Sequence, residues 1–380
     1  MKRVVFAVLT VWLFFCARIV LAGWNPVQRL TWSTGEAGFP AIAVDSTNTV
    51  HVVWEDSTPG NIDIFYANST DGGTTWSTAK SLASTPDGSY APSIAADSSN
   101  ALHVVWGDYS FGMPEIYYLR STDGGGSWSQ PKRMTWSSYW SGNAKIAVSP
   151  DDGIHVVWEE SLPGNNEIYY RRSTDGGETW MTTKRLTWTS GLSRDAAVAA
   201  GSSVHVVWSD SLPGKTEIYY KRSTDGGAAW SAVKRLTWTP EDSYMPAPAL
   251  DSSGRLHVVW KDVVAGSDEI FHKRSTDEGT TWSAVKRLTW TELDSNAPAI
   301  AGDSDDTVRL VWHDSTPGNY EIYYKSGEGG VAAWSASQRV TWTSGESAWP
   351  ALAIDSINQI HLVWQDATSG NYEIYYRKGN

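Results

Sequence analysis

Ile154-His-Val-Val-Trp-Glu-Glu-Ser-Leu-Pro-Gly-Asn-Asn-Glu-Ile-Tyr-Tyr-Arg-Arg-Ser-Thr-Asp-Gly-Gly-Glu-Thr-Trp180, closed by Lys184-Arg-Leu-Thr-Trp188, decides the fold of this 380-residue chain. Two apolar runs rich in β-branched and aromatic residues flank a turn of the Ser-x-Pro-Gly-Asn type. A glycine box and a short final run follow. Such runs, punctuated by Gly, Pro, Asn and Asp, read as strands and turns, and no window carries sustained helical periodicity. The stretch recurs along the chain. Trp54, Trp106, Trp158, Trp208, Trp260, Trp312 and Trp364 end its first run, at spacings of 52, 52, 50, 52, 52 and 52 residues. Trp24, Trp76, Trp128, Trp180, Trp230, Trp282 and Trp334 form a second column, and Trp32, Trp136, Trp188, Trp238, Trp290 and Trp342 a third.

A sevenfold repeat of this length means stacked units that cannot bury their faces alone. Each unit adds a small-residue segment, such as Pro40-Ala-Ile-Ala-Val-Asp45, ahead of the Val-Val-Trp run. That gives four strands per unit and predicts an all-β, seven-bladed propeller with antiparallel strands. Alanines in the first strand suit the crowded axis. Twenty tryptophans are expected to fill a dry core between blades, each contributing at most about 4–6 kcal/mol. The last unit stops after Glu373-Ile-Tyr-Tyr-Arg377, and the matching fourth strand lies at the other end, Trp24 to Trp32. The N-terminal strand is therefore expected to complete the last blade and close the ring.

Composition bounds the function. Residues 1–22 read as a secretory signal, with Lys2 and Arg3 before an apolar stretch and Val20-Leu-Ala22 at the cleavage position. Residues 23–380 are then one propeller domain, expected to be secreted, extracellular or periplasmic, monomeric, and not inserted in a membrane. Cys16 is the sole cysteine and falls in the leader, which leaves no disulfide or thiol chemistry. The leader carries Lys2, Arg3 and Arg18 and no acid, so losing three positive charges from −12 leaves −15. An acidic chain without a basic stripe is not built for nucleic acid.

The box Ser-Thr-Asp-Gly-Gly-x-x-Trp stands intact at 69–76, 121–128, 173–180 and 223–230, with a variant at 275–282 and a degenerate copy ending at Trp334. This resembles the Asp-box, or bacterial neuraminidase repeat, of sialidase-like propellers, across all of residues 23–380. The local chemistry makes Asp71, Asp123, Asp175, Asp225 and Asp277 turn clamps that accept backbone N–H groups, not metal ligands or catalytic acids. The resemblance implies boxes on the face opposite a catalytic site. It also implies an arginine triad, a tyrosine–glutamate pair and an aspartate acid. The place of the family's Arg-Ile-Pro signature holds Gly38-Phe39-Pro40, and most arginines repeat with the strands. The repeated Asp56 and His51 columns read as architecture on the same ground. No catalytic residue, cofactor or metal is therefore assigned.

Function is expected where the copies differ. Tyr90, Tyr109, Phe111, Tyr139 and Trp140 converge on blade two and its junction with blade three. Arg194, Asp195, Tyr244 and Trp349 occupy loops of the same face. Aromatics beside polar loops suit sugar stacking or a protein anchor. The expected function is non-catalytic recognition of a glycan or cell-surface protein. The alternative is a divergent sialidase-like glycoside hydrolase of the exo-sialidase type.

Overall fold

In the computed structural model, residues 23–380 are described apart from 59, 84, 86, 111, 213 and 329–332. The leader and Phe111 thus lie outside the described residues. Among those described there is no helix. Seven antiparallel sheets form; six are built from consecutive strands, one of them with an extra two-residue strand at Ala333–Trp334, and the seventh takes its fourth strand from the N-terminal segment. Blade 1 comprises Ala37–Val44, Val50–Asp56, Asp63–Ser69 and Lys80–Ala83; blade 3 comprises Ser141–Val148, Ile154–Leu162, Asn165–Ser173 and Lys184–Arg185. Each first strand touches the first strands of both neighbouring blades, and the series returns from blade 7 to blade 1. The ring is closed as the split repeat requires. Gln28–Arg29 pairs with Glu373–Gly379 as the outer strand of blade 7. Trp24 bridges Gly379 one step further on.

The second-strand tryptophans and the Val-Val pairs before them are buried between blades. The fourth residue of the third-strand run, a tyrosine in six blades and His272 in blade 5, ties neighbours together. Tyr66 Oη lies 2.8 Å from His51 Nδ1 and 3.2 Å from the carbonyl oxygen of Gly124, in the next blade's box. Burial lowers the pKa of His51, so its neutral ring accepts from Tyr66 at Nδ1 and donates from Nε2 to Asp45. Trp128 of that box stands edge-on to Tyr66, with centroids 5.1 Å apart. The box glycine is required by this approach: at Gly177, with φ +87°, a Cβ would fall 1.9 Å from Tyr118 Oη. Arg309 replaces histidine in blade 6 and reaches the same two partners, donating to both Tyr324 Oη and Asp303 Oδ2.

The third tryptophan column corrects the expected core. Trp32, Trp136, Trp188, Trp238, Trp290 and Trp342 are 66–73% exposed. The fourth strands are only two residues long in blades 2 to 5, and their closing tryptophans fall beyond the last ladder bond, outside the cover of the next blade. Fourteen tryptophan positions, not twenty, face the blade junctions.

Every first strand carries a bulge opposite its buried tryptophan. In blade 1, Gly38 pairs Glu55 and Ala41 pairs Val53, so Phe39 and Pro40 together face Trp54. The leading bulge residues are Phe39, Ala91, Asn143, Asp195, Met245, Ala297 and Trp349, all left-handed with φ between +45° and +54°. This conformation costs a non-glycine residue roughly 1–2 kcal/mol. Proline follows in five of the seven copies, where its missing N–H leaves no ladder bond unmade.

Candidate functional site

The seven bulges surround one end of the axis and line a cavity of about 440 Å³. Their backbone is alike and their side chains are not. One side of the mouth is apolar: Phe39 and Trp349 lie with ring centroids 5.1 Å apart, and Met245 lines the wall beyond Ala297. The other side carries Asn143, Lys145, Glu159 and Asp195.

Neighbouring blades latch at these bulges. The second-strand residue after the buried tryptophan reaches across to the next bulge N–H. Glu55 Oε2 accepts from Ala91 at 2.7 Å, Glu159 Oε1 from Asp195 at 2.8 Å, and Gln365 Oε1 from Phe39 at 3.0 Å. His313 Nδ1 accepts from Trp349 at 3.1 Å, and burial holds that ring neutral with a pKa lowered to about 3. Ser209 is too short to span the gap. In its place Asp195 Oδ2 accepts from Ser209 Oγ at 3.0 Å and weakly from Met245 N–H at 3.4 Å.

The polar side concentrates charge. Glu159 Oε1 also accepts from Asn143 Nδ2 at 3.1 Å. Burial, and then the neighbouring Asp195, push the Glu159 carboxyl up to about 7. Lys145 extends from the first strand into the axial space, open to water yet enclosed by the blades. That enclosure lowers its pKa, against the pull of Glu159 and Asp195. A hydrogen-bonded carboxyl near neutrality, a carboxylate and an amine therefore share one water-accessible cavity, which can bind hydroxyls and can exchange protons. Among the described residues, no arginine and no tyrosine lines it.

The residues expected from sequence fall into separate groups. Tyr90 and Tyr109 pack with centroids 5.4 Å apart. Tyr90 leans on Gly107 and Gly142: a Cβ at Gly142 would fall 2.6 Å from Tyr90 Oη and 2.3 Å from Trp140 Cζ2. Tyr90, Tyr109 and Trp140 thus meet over the junction of blades 2 and 3. Tyr139 is exposed beside them in sequence, with its N–H bonded to Ser137 Oγ. Asp195 and Trp349 line the mouth itself. Arg194 is exposed on the first strand of blade 4 and does not line the mouth. Tyr244 lies under Lys261, whose Nζ is 5.5 Å from the ring centroid.

Asn143, Lys145 and Glu159 escaped sequence reasoning. The signal was present in the alignment of the repeats: Lys145 stands in a column that otherwise reads Ala41, Ser93, Ala197, Ala247, Ala299 and Ala351. The box aspartates are consumed by their turns. Asp175 Oδ1 accepts from Thr179 N–H at 2.9 Å and from Ser173 Oγ at 2.7 Å, and the Thr179 hydroxyl donates to Oδ2. These bonds lower its pKa to about 2. Five of the seven repeated second-strand acids, Asp56, Asp108, Asp210, Asp314 and Asp366, accept from the N–H two residues on and so cap the following turn, as Asp210 does with Leu212.

Seven closed blades with Asp-box turns define a sialidase-like propeller. The family described as BNR repeat-like domain matches residues 112–315, more than half of the sequence, and the chain belongs to that family. No curated protein sequence matches it. Among solved structures it is similar to a protein of unknown function from Dyadobacter fermentans, at 13% identity and a TM-score of 0.60, covering 93% of this chain and 99% of that one. It is also similar to an ulvan lyase of a new polysaccharide-lyase family, at 12% identity and a TM-score of 0.65, covering 92% and 95%. A third is the NanB sialidase of Streptococcus pneumoniae, at 14% identity and a TM-score of 0.51, covering 93% and 70%. At these identities the likeness is one of fold.

Proposed function

We propose that this is a secreted, non-catalytic glycan-binding propeller whose recognition site is the axial mouth. The observation that carries the reading is the mouth's two-sided wall, with Trp349 and Phe39 facing Asn143, Lys145 and Asp195 across one 440 Å³ cavity. An aromatic surface takes the C–H face of a pyranose, and hydroxyls bond the polar side. The fold neighbours named for action on sialosides and ulvan agree in substrate class. A glycan array followed by calorimetry of the best oligosaccharide tests it. Trp349→Ala and Lys145→Met are each expected to weaken binding at least tenfold, and unchanged affinity in both sinks the proposal.

Glu159 favours a second reading, a divergent glycoside hydrolase of sialidase-like ancestry. A carboxyl near 7 beside a carboxylate is the pairing glycoside hydrolysis uses for acid and base. Release of a chromophore from a panel of aryl glycosides, lost in Glu159→Gln, would establish it over simple binding.

A further inference from the structure

The exposed tryptophans form a second feature, and none of the six lines the mouth. Each closes a fourth strand at the outer rim, at the end of the sheet nearest the second-to-third-strand turns. Each lies on its own blade's arginine, as Trp188 does on Arg185 at 5.6 Å. That arginine is neutralised by a buried glutamate, Glu167, at 2.7 Å. A second cation reaches over from the next blade. Arg171, Lys221, Lys273, Lys325 and Arg377 occupy one repeat position in blades 3 to 7.

These five cations differ from the first set. Lys221 Nζ bonds the Leu186 carbonyl at 2.7 Å, Lys273 the Leu236 carbonyl at 2.8 Å, and Arg171 Nη1 the Met134 carbonyl at 2.8 Å. Lys325 and Arg377 bond the carbonyls of Leu288 and Val340 in the same way. Their partners are neutral carbonyls, and burial lowers the pKa of all five. Lys221, Lys273 and Lys325 sit 5.4–5.8 Å from the exposed rings of Trp188, Trp238 and Trp290. Lys221, Lys273 and Lys325 are only 7–9% exposed, and each ammonium has three donors and spends one on its carbonyl. Between blades 2 and 3 the arrangement encloses a groove of about 410 Å³, lined by Trp136, Arg171, Ser137, Thr182, Thr183 and Glu160. Burial raises the Glu160 pKa, and its Oε2 accepts from Trp158 Nε1.

We propose that the blade junctions from 2/3 to 6/7 form one multivalent site for a linear anionic polysaccharide. Successive sugar rings stack on the rim indoles, and carboxylate or sulfate groups take the free donors of the second-row cations. Exposed tryptophan over hydroxyl-bearing grooves fits sugar rings better than lipid. The arc ends where its parts end. Ala67 replaces the cation at junction 7/1, and Leu119 does so at junction 1/2, where blade 1 reads Lys80-Ser-Leu-Ala83 with no arginine. The proposal is independent of the mouth.

The test measures binding of the full chain to polygalacturonate, a sulfated galactan and a neutral galactan of matched length, with anionic vesicles as a further arm. At least one anionic polymer is expected to bind more tightly than the neutral one, and the arm that binds identifies the anion. The triple variant Trp188→Ala, Trp238→Ala, Trp290→Ala should weaken that binding on the order of 100-fold by loss of avidity, while one substitution alone costs severalfold. Lys221→Met with Lys273→Met should remove the preference for the charged polymer. The melting temperature of each variant checks the fold. Equal binding to the neutral polymer, binding to vesicles alone, no binding, or an unaffected triple variant would each overturn the proposal.

Discussion

Trp208 and Trp238 stand in one blade, belong to columns of equal regularity, and end in opposite surroundings. Trp208 is fully buried and its Nε1 points at Asp210, 3.4 Å away. Trp238 is 67% exposed over Arg235 and Lys273. Repetition therefore marks two different demands. One is the packing of blade against blade; the other is a surface made many times over. Stability separates them. Trp208→Ala is expected to cost about 3–5 kcal/mol in denaturant unfolding, the usual penalty for emptying a large core site. Trp238→Ala should stay within about 0.5 kcal/mol of the parent. Equal losses would return the rim tryptophans to the core and remove the contrast.

The ring, the strand order and its closure were legible in the sequence, because two-sided Val-Val-Trp runs and the split last unit leave few other ways to bury those faces. Burial of the third tryptophan column was misread, since a short terminal run looks the same whether or not the next blade covers it. The mouth was half legible. Trp349 and Asp195 are singular residues and stood out, but Asn143 and Lys145 sit inside the first strand, where alanine had suggested only crowding at the axis. The bulge that turns these positions toward the cavity has no signature in one copy. It emerges only when the pairing of all seven first strands shows two residues opposite each tryptophan.

A smaller effect distinguishes the links between blades from the blades themselves. Tyr170 Oη bridges His155 Nδ1 at 2.8 Å and the Gly226 carbonyl at 3.2 Å. Tyr170→Phe keeps the ring against Trp230 and strips both contacts, so about 1–3 kcal/mol of stability should be lost. Tyr219→Phe gives the surface counterpart. Its hydroxyl bonds Leu212 at an exposed site, and its loss should be nearly silent in the same unfolding measurement.

Mouth and box also differ in the sign of their response to pH. Glu159 has a folded pKa raised to about 7 from a reference of 4.5, so the folded state holds more protons between those values. Its contribution is full below pH 4.5 and is lost as pH rises toward 7. Glu159→Gln keeps the acceptor for Asp195 N–H without the ionisation, and should flatten stability against pH across that window. A slope identical to the parent's would place the titrating group elsewhere.

Asp175 runs the other way. Its folded pKa is lowered to about 2 from 3.8 by bonds that favour the carboxylate, so its contribution is present above pH 3.8 and fades as pH falls toward 2. The carboxylate is exposed to solvent, which screens its interactions and keeps the effect the smallest of the set. Asp175→Asn retains one acceptor oxygen and loses the charge. It should therefore lower the melting temperature slightly at neutral pH and coincide with the parent near pH 2. A difference that persisted at pH 2 would mean that the box depends on the geometry of both carboxylate oxygens and not on their charge.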